Sequence, residues 1–267
     1  MLKSRLRCPH SHFDGTCNPD SPNHWFKAFL DTPGIDIYRQ DYTIWDGALL
    51  PEVVAQLEAD YAGTVYYDRY IRGLWTQAEG LIYPRWGEAL EPRWEGEADE
   101  WAVSCDYGTQ NAFAALLWAR SGGTWHVVKE YRYSGRDTGH QKTDDDYVAD
   151  MEAFLGDMPR DTPFIIDPSA TSFHAAMRRA GLKVRKARNA VEDGIRETAA
   201  CMQSGAVRVA DDLPELAKEF AGYVWDAKAS GDRPVKENDH LMDAIRYGVA
   251  TLRMYRPKAA YASPFGA

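Results

Sequence analysis

The chain has 267 residues, 45% hydrophobic and 27% charged, proportions of an ordinary globular protein with room for one large domain or two smaller ones. No apolar stretch approaches the roughly 20 residues of a membrane span, so a membrane protein is not expected. The formal net charge of -9 argues against indiscriminate nucleic-acid binding. It does not exclude DNA as a substrate, because metal-bound carboxylates count in that sum and binding rests on local patches.

In chain order, the basic start Met1–Arg7 lacks the apolar core of a signal peptide, which makes an intracellular protein the expectation. The four cysteines, at 8, 17, 105 and 201, show no disulfide spacing. Cys8, His10, His12, Cys17 and His24 invite a zinc reading, but no paired C-x-x-C occurs and a reduced loop is the plainer one. Residues 1–98 are rich in Trp, Tyr and Pro, with a loose strand-like alternation at 35–44 and a helix at 51–62 that has Pro51 in its first turn. The Pro/Gly/Glu-rich stretch 84–100 reads as a linker, placing a domain boundary near 98. From 99 to 267 the pattern is α/β. Strands are predicted at 101–106, 112–120 and 124–133, with Ser121-Gly122-Gly123 as a hairpin turn. A helix at 146–156 follows three aspartates, then a strand at 163–167, a helix at 170–180 ending at Gly181, and a strand at 182–187. A helix at 192–204, a strand at 206–209 and a helix from Asp239 to about Tyr255, with Asn238 as N-cap, complete the set. Three antiparallel strands followed by strand–helix alternation indicate a mixed sheet flanked by helices.

Three aspartates stand out in this frame. Asp106 ends the apolar run 101–105 and Asp167 ends 164–166, while Asp243 lies in the last helix. Two strand-end carboxylates and one helix carboxylate can meet at a sheet edge, and Mg²⁺ takes oxygen ligands of this kind. Each also has a plain structural role open to it: Asp106 can cap a turn through Gly108, Asp-Pro at 167–168 initiates turns, and Asp243 can pair with a neighbour on the helix surface. On a helical wheel Leu241, Ala244, Ile245, Gly248 and Leu252 form an apolar stripe, flanked by His240, Asp243 and Tyr247. His240 suits either metal ligation or proton relay. Asp239 suits the helix N-terminus; Asp226 and Lys228, on a predicted strand before a loop, and Glu130 are weaker candidates for the site. Arg178, Arg179, Lys183, Arg185, Lys186 and Arg188 form an acid-free basic segment: a solvated face alone, a phosphate-contacting face beside a metal centre.

The stretches 104–108, 164–170, 189–196 and 236–247 resemble the nuclease domain of the large subunit of viral (tailed-phage) DNA-packaging terminases. The histidine three before the last aspartate is similar to one terminase subgroup. Gly15-Thr16-Cys17-Asn18-Pro19, followed by His24-Trp25-Phe26, resembles the family's ATPase coupling motif, with Thr16, Asn18 and Pro19 as its remnant. Residues 72–75 and 80–84 resemble the lid and linker leading into the nuclease. No G-x-x-x-x-G-K-[ST] phosphate loop is present. The resemblance is therefore to the C-terminal part of such a subunit, an ATPase-domain tail over 1–98 and an RNase H-like nuclease over 99–267, not expected to hydrolyse ATP by itself.

The resemblance implies metal-dependent endonucleolytic cleavage of double-stranded DNA during genome packaging in the host cell cytoplasm. Asp106 would bridge two Mg²⁺ or Mn²⁺ ions, with Asp167 and Asp243 each holding one and His240 assisting. The segment 178–188 would position the DNA backbone without base readout. Implied partners are the small terminase subunit, the portal protein and an ATPase portion of the same subunit if encoded separately. Two rivals remain: another RNase H-like nuclease, such as a junction resolvase or RNA–DNA hybrid nuclease, and a non-catalytic module docking DNA to a portal.

Overall fold

The computed structural model describes residues 12–47, 49–108, 111–229 and 231–255. In chain order the elements are α1 (Trp25–Leu30), α2 (Pro51–Tyr61), a π-helical turn (Tyr67–Ile71), a 3₁₀ turn (Trp86–Ala89), β1 (Leu90–Glu91), β2 (Glu100–Asp106), β3 (Phe113–Ser121) and β4 (Thr124–Tyr133). They continue with α3 (Gly135–Thr138), α4 (Asp144–Leu155), β5 (Phe164–Ile166), α5 (Thr171–Arg179), β6 (Val184–Lys186), α6 (Val191–Gln203), β7 (Val207–Ala210), α7 (Pro214–Gly222) and α8 (His240–Leu252). Among the described residues the strands form one mixed sheet in the order β1-β7-β4-β3-β2-β5-β6. The meander β2-β3-β4 is antiparallel, and β5, β6 and β7 join parallel. The expected α/β class and mixed, helix-flanked sheet are what the chain adopts.

Side-chain alternation divides the core into two. Ala102, Ala114, Leu116, Trp118, Val127 and Ile165 bury one face against α6 and α8. Val103, Cys105, Phe113, Ala115, Phe164 and Ile166 bury the other against α4 and α5. Period-two geometry then sends the next residues, Asp106 after Ala102 and Ser104, and Asp167 after Ile165, to the α8 face. Register adds the second coordinate. Cys105 pairs with Ile166, so Asp106 and Asp167 are neighbours one residue past the last paired rung.

Several expectations shift. Residues 35–44 carry no strand. The stretch read as a linker supplies the 3₁₀ turn and β1, which pairs with β7 as an edge of the sheet. Helix α7 was not expected; Pro214 opens it, and Glu130 accepts from the backbone N–H groups of Glu215 and Leu216 at its start. Asp226 and Lys228 fall in a turn, where Asp226 accepts from the Lys228 amide. Helix α8 begins one residue later than Asp239 and stops at Leu252, with Arg253 in a left-handed cap; Asn238 also has positive φ and lies outside the helix. The amphipathic stripe expected for α8 is nearly all-round burial, because the helix packs on β2, β3, α6 and α7 at once.

Gly248 permits that packing. A Cβ built there would stand 2.6 Å from Trp118 Cζ2, and Trp118 is fully buried with its indole N–H donating to Ser104 Oγ at 2.8 Å. Gly248→Ala is expected to lower stability by about 1–3 kcal/mol through overpacking. Urea unfolding followed by tryptophan fluorescence checks this, and an unchanged midpoint would show that the interface can relax.

Candidate active site

The N-terminal end of α8 faces the ends of β2 and β5. Asp106, Asp239, His240 and Asp243 line one cleft of about 450 Å³, with Tyr107, Asn111, Arg132, Arg136 and Lys236 among its other walls. His240 Nδ1 and Asp106 Oδ2 are 2.8 Å apart. Burial pushes the Asp106 carboxyl above its ordinary range; the His240 hydrogen bond pulls the other way, and Asp243 and Asp239 push up again. The same hydrogen bond raises the imidazole above its ordinary value, against burial. A buried carboxylate beside two others has its charged form disfavoured.

Asp167 is not on the wall of that cleft. Its Oδ1 accepts from the Ser169 amide at 2.7 Å, and its Oδ2 accepts from the Tyr247 hydroxyl at 2.9 Å and the Asn189 amide at 3.3 Å. Burial opposes its charge, but these bonds outweigh burial and hold it below the usual carboxylate range. The Tyr247 phenol connects it to the rest: its pKa is pushed up first by burial, then by Asp106, Asp243 and Asp167. One hydroxyl thus feels all three aspartates that the sequence singled out.

Asp243 is held by two cations. Arg246 Nη2 lies 2.7 Å from its Oδ1 and Lys236 Nζ 3.3 Å from its Oδ2. Lys236 also reaches Asp239 Oδ2 at 2.9 Å. Arg246 is 2% exposed, and its Nη1 donates to the carbonyls of Asn189 and Ala190 at 2.8 and 3.0 Å. Its stem crosses Gly194 of α6, where a Cβ would overlap it. The plain structural roles open to two of the aspartates are realised: Asp243 makes a helix ion pair, and Asp167 caps the turn at Ser169. Among the described residues no three His, Cys, Asp or Glu side chains already converge as a cation cage.

The remaining candidates scatter. All six basic residues from Arg178 to Arg188 are exposed. Arg185 donates to the Thr251 carbonyl and Arg188 to that of Ala250, so both close the C-terminal end of α8; Arg179 pairs with Asp145 at 3.5 Å. Glu130 is committed to α7. Asn18 and Pro19 line a separate small cavity of about 120 Å³, beside the ion pairs of Arg69 with Asp20 and Asp232, while Thr16 is exposed. Of the zinc candidates, Cys8 and His10 lie outside the described residues, and His24 caps α1 by accepting from the Phe26 amide. No helix among the described residues is long and apolar enough to cross a membrane.

Sequence reasoning missed Lys236, Arg246 and Glu219 as parts of the site. Lys236 and Arg246 lie seven before and three after Asp243, and the i, i+3 spacing to Arg246 was a readable signal. Glu219 had none, because its helix was not recognised. It is buried and accepts from the amides of Leu241 and Met242 at 2.7 and 3.3 Å, so it caps the helix that carries His240 and Asp243.

The fold has counterparts among solved structures. The large terminase of a thermophilic bacteriophage, in complex with ATP-gamma-S, superposes with a TM-score of 0.88 and 39% identity over 93% of this chain. Over most of its length the chain is similar to large terminases. It spans 65% of the length of that relative. The nuclease domain of the P22 large terminase shares the fold at 19% identity, covering 68% of this chain and 97% of its own, with a TM-score of 0.54. The large terminase nuclease of a second thermophilic phage, G20c, solved with bound magnesium, shares it at 16% identity, 64% and 97% coverage and a TM-score of 0.51. No family model and no curated protein matches this chain.

Glu219 gives the site a pH signature. Burial raises its carboxyl from 4.5 to about 7, against the pull of the two amides. The folded chain therefore keeps a proton that the unfolded chain loses, and stability falls as pH rises from about 4.5 to about 7. His240 contributes with the same sign, but its share is lost above about 6.5, as pH passes through its raised folded value. Glu219→Gln keeps an acceptor oxygen and cannot ionise. It should flatten the decline of Tm between about pH 4.5 and 7 by a few degrees, and the same slope in wild type and variant would assign the decline elsewhere.

Proposed function

We propose that this chain is a metal-dependent endonuclease of double-stranded DNA, the nuclease part of a large terminase acting in genome packaging. The observation that carries the reading is the gathering of Asp106, His240 and Asp243 on one cleft, with Asp167 tied in beside it through the hydroxyl of buried Tyr247. Support comes also from the likeness to large terminases, one of whose nucleases binds magnesium.

The donor set fits a divalent ion. Its members are carboxylates, the ligands Mg²⁺ and Mn²⁺ prefer, and burial of Asp106 among like charges disfavours the unliganded anion. Asp106 would bridge two ions, with Asp167 and Asp243 each holding one. When bound, such ions activate a water and stabilise the leaving 3′ oxygen of a phosphodiester. The chain's own groups do the rest. His240, on Asp106, accepts or returns a proton near neutral pH, or adds a ligand. Tyr247 and Asn189 fix the rotamer of Asp167, and Arg246 fixes that of Asp243. Arg132 and Arg136 meet phosphates in the cleft, and the exposed segment from Arg178 to Arg188 meets the backbone beyond it. Phosphate contacts confer no base preference. The small terminase subunit, the portal and an ATPase portion are the partners this reading implies.

Supercoiled plasmid incubated with the chain and Mn²⁺ or Mg²⁺ should be nicked and linearised, and chelator should stop it. DNA bound but left intact with every metal would make the chain a docking module instead. Asp106→Asn, Asp167→Asn and Asp243→Asn should each slow cleavage on the order of a thousandfold, with the fold retained by circular dichroism. A variant that cleaves at near-normal rate removes its residue from the centre. His240→Ala should cost less, about 10–100-fold, and alter the preference between Mn²⁺ and Mg²⁺. An unchanged rate and preference would reduce His240 to a partner that only orients Asp106.

A further inference from the structure

The acidic mouth of the cleft already contains a cation of its own. Lys236 Nζ bridges Asp239 Oδ2 at 2.9 Å and Asp243 Oδ2 at 3.3 Å, while Arg246 takes Asp243 Oδ1 at 2.7 Å. Both oxygens of Asp243 are therefore occupied by side-chain cations. The two cations differ in freedom. Arg246 is 2% exposed and tied to two carbonyls, so it is a fixed part of the core. The Lys236 side chain is 59% exposed. Its root is anchored, because the Val235 amide donates to the Val224 carbonyl at 2.9 Å and Asp232 pairs with buried Arg69. Immediately beyond it the backbone turns through Asn238 at φ 50. Movement of Lys236 is thus confined to one long side chain and a short turn leading into His240.

Charge counting separates the possible states. Asp106, Asp167, Asp239 and Asp243 carry four negative charges when ionised, and Lys236 and Arg246 return two. One divalent ion neutralises the remainder with Lys236 in place. A second would overcharge the cluster by two and meet an ammonium already on its oxygens. Like charges a few ångströms apart repel, and a divalent ion doubles the effect of each unit charge it meets.

We propose that Lys236 is a built-in occupant of one of two cation positions: it bridges Asp239 and Asp243 in the metal-free chain, tolerates a first divalent ion at Asp106, and must swing out before a second can bind. The proposal rests on the metal-dependent reading above and adds a latch to it. With Lys236 in, the acidic residues are held in place without metal and the centre stays incomplete. Cleavage then requires a divalent ion concentration high enough to displace the ammonium.

The test uses the whole chain without DNA. Mn²⁺ is titrated into wild type, Lys236→Met and Lys236→Arg, with free Mn²⁺ counted by electron paramagnetic resonance and Tm followed in parallel. Lys236→Met keeps the stem and loses the charge, and should bind its second ion roughly tenfold more tightly, given that ion pairs of this exposure are worth up to about fivefold each. Lys236→Arg should behave as wild type or bind more weakly. The Mn²⁺ needed for half-maximal plasmid cleavage should fall in parallel in Lys236→Met. Equal stoichiometry and affinity in wild type and Lys236→Met, or weaker binding in the latter, overturns the latch and leaves the metal reading standing. Folded chains that bind no Mn²⁺ at all would overturn both.

Discussion

The close approach of α8 to the sheet is the constraint on which the site depends. Gly248 lets the helix sit against Trp118, and Trp118 is locked by its bond to Ser104 on β2. Two residues along the same face of β2, Asp106 then meets the first turn of that helix. A side chain at 248 would act first on packing, yet its effect would be felt at His240 and Asp243, because a helix is stiff and transmits a displacement along its length. Gly194 plays the corresponding part on the other side of α8, leaving room for the stem of Arg246.

That geometry creates an electrostatic problem at one point. The positive end of α8 attracts acids, and Glu219 and Asp239 lie there with Asp243 one turn on. The structure distributes this charge among different partners. Glu219 is buried and leans toward protonation, Asp167 is stabilised by neutral donors, Asp106 by an imidazole, and Asp239 and Asp243 by Lys236 and Arg246. No single interaction holds the cluster.

Much of this was legible in the sequence, for identifiable reasons. The meander and the helices α4, α5, α6 and α8 follow from strong periodicity and punctuation by glycine. The three aspartates were visible because each interrupts or flanks an apolar run. What escaped was non-local. Residues 84–100 look like a linker because two-residue β1 has no pattern of its own and exists only through β7. Helix α7 is short, and its N-terminus is completed by Glu130 from a distant strand. The basic run 178–188 reads as one face, yet the guanidinium groups of Arg185 and Arg188 serve the end of α8, a contact that spacing along the chain cannot reveal. Lys236 stands at the head of a recognisable stretch, but its role stays hidden there, since its partners are set by the turn at Asn238.

The two margins of the sheet differ in chemistry but share an outcome. At one, β6 has three residues, of which Arg185 and Lys186 are exposed and charged; at the other, β1 has only two. Neither offers the long, flat, neutral ribbon on which a foreign strand can add. Assembly with other proteins by strand addition is thereby disfavoured, and so is fibrous aggregation at high local concentration. Among the described residues, what remains on offer to a neighbour is side chains and helices, whose contacts can be released without breaking a ladder of backbone hydrogen bonds.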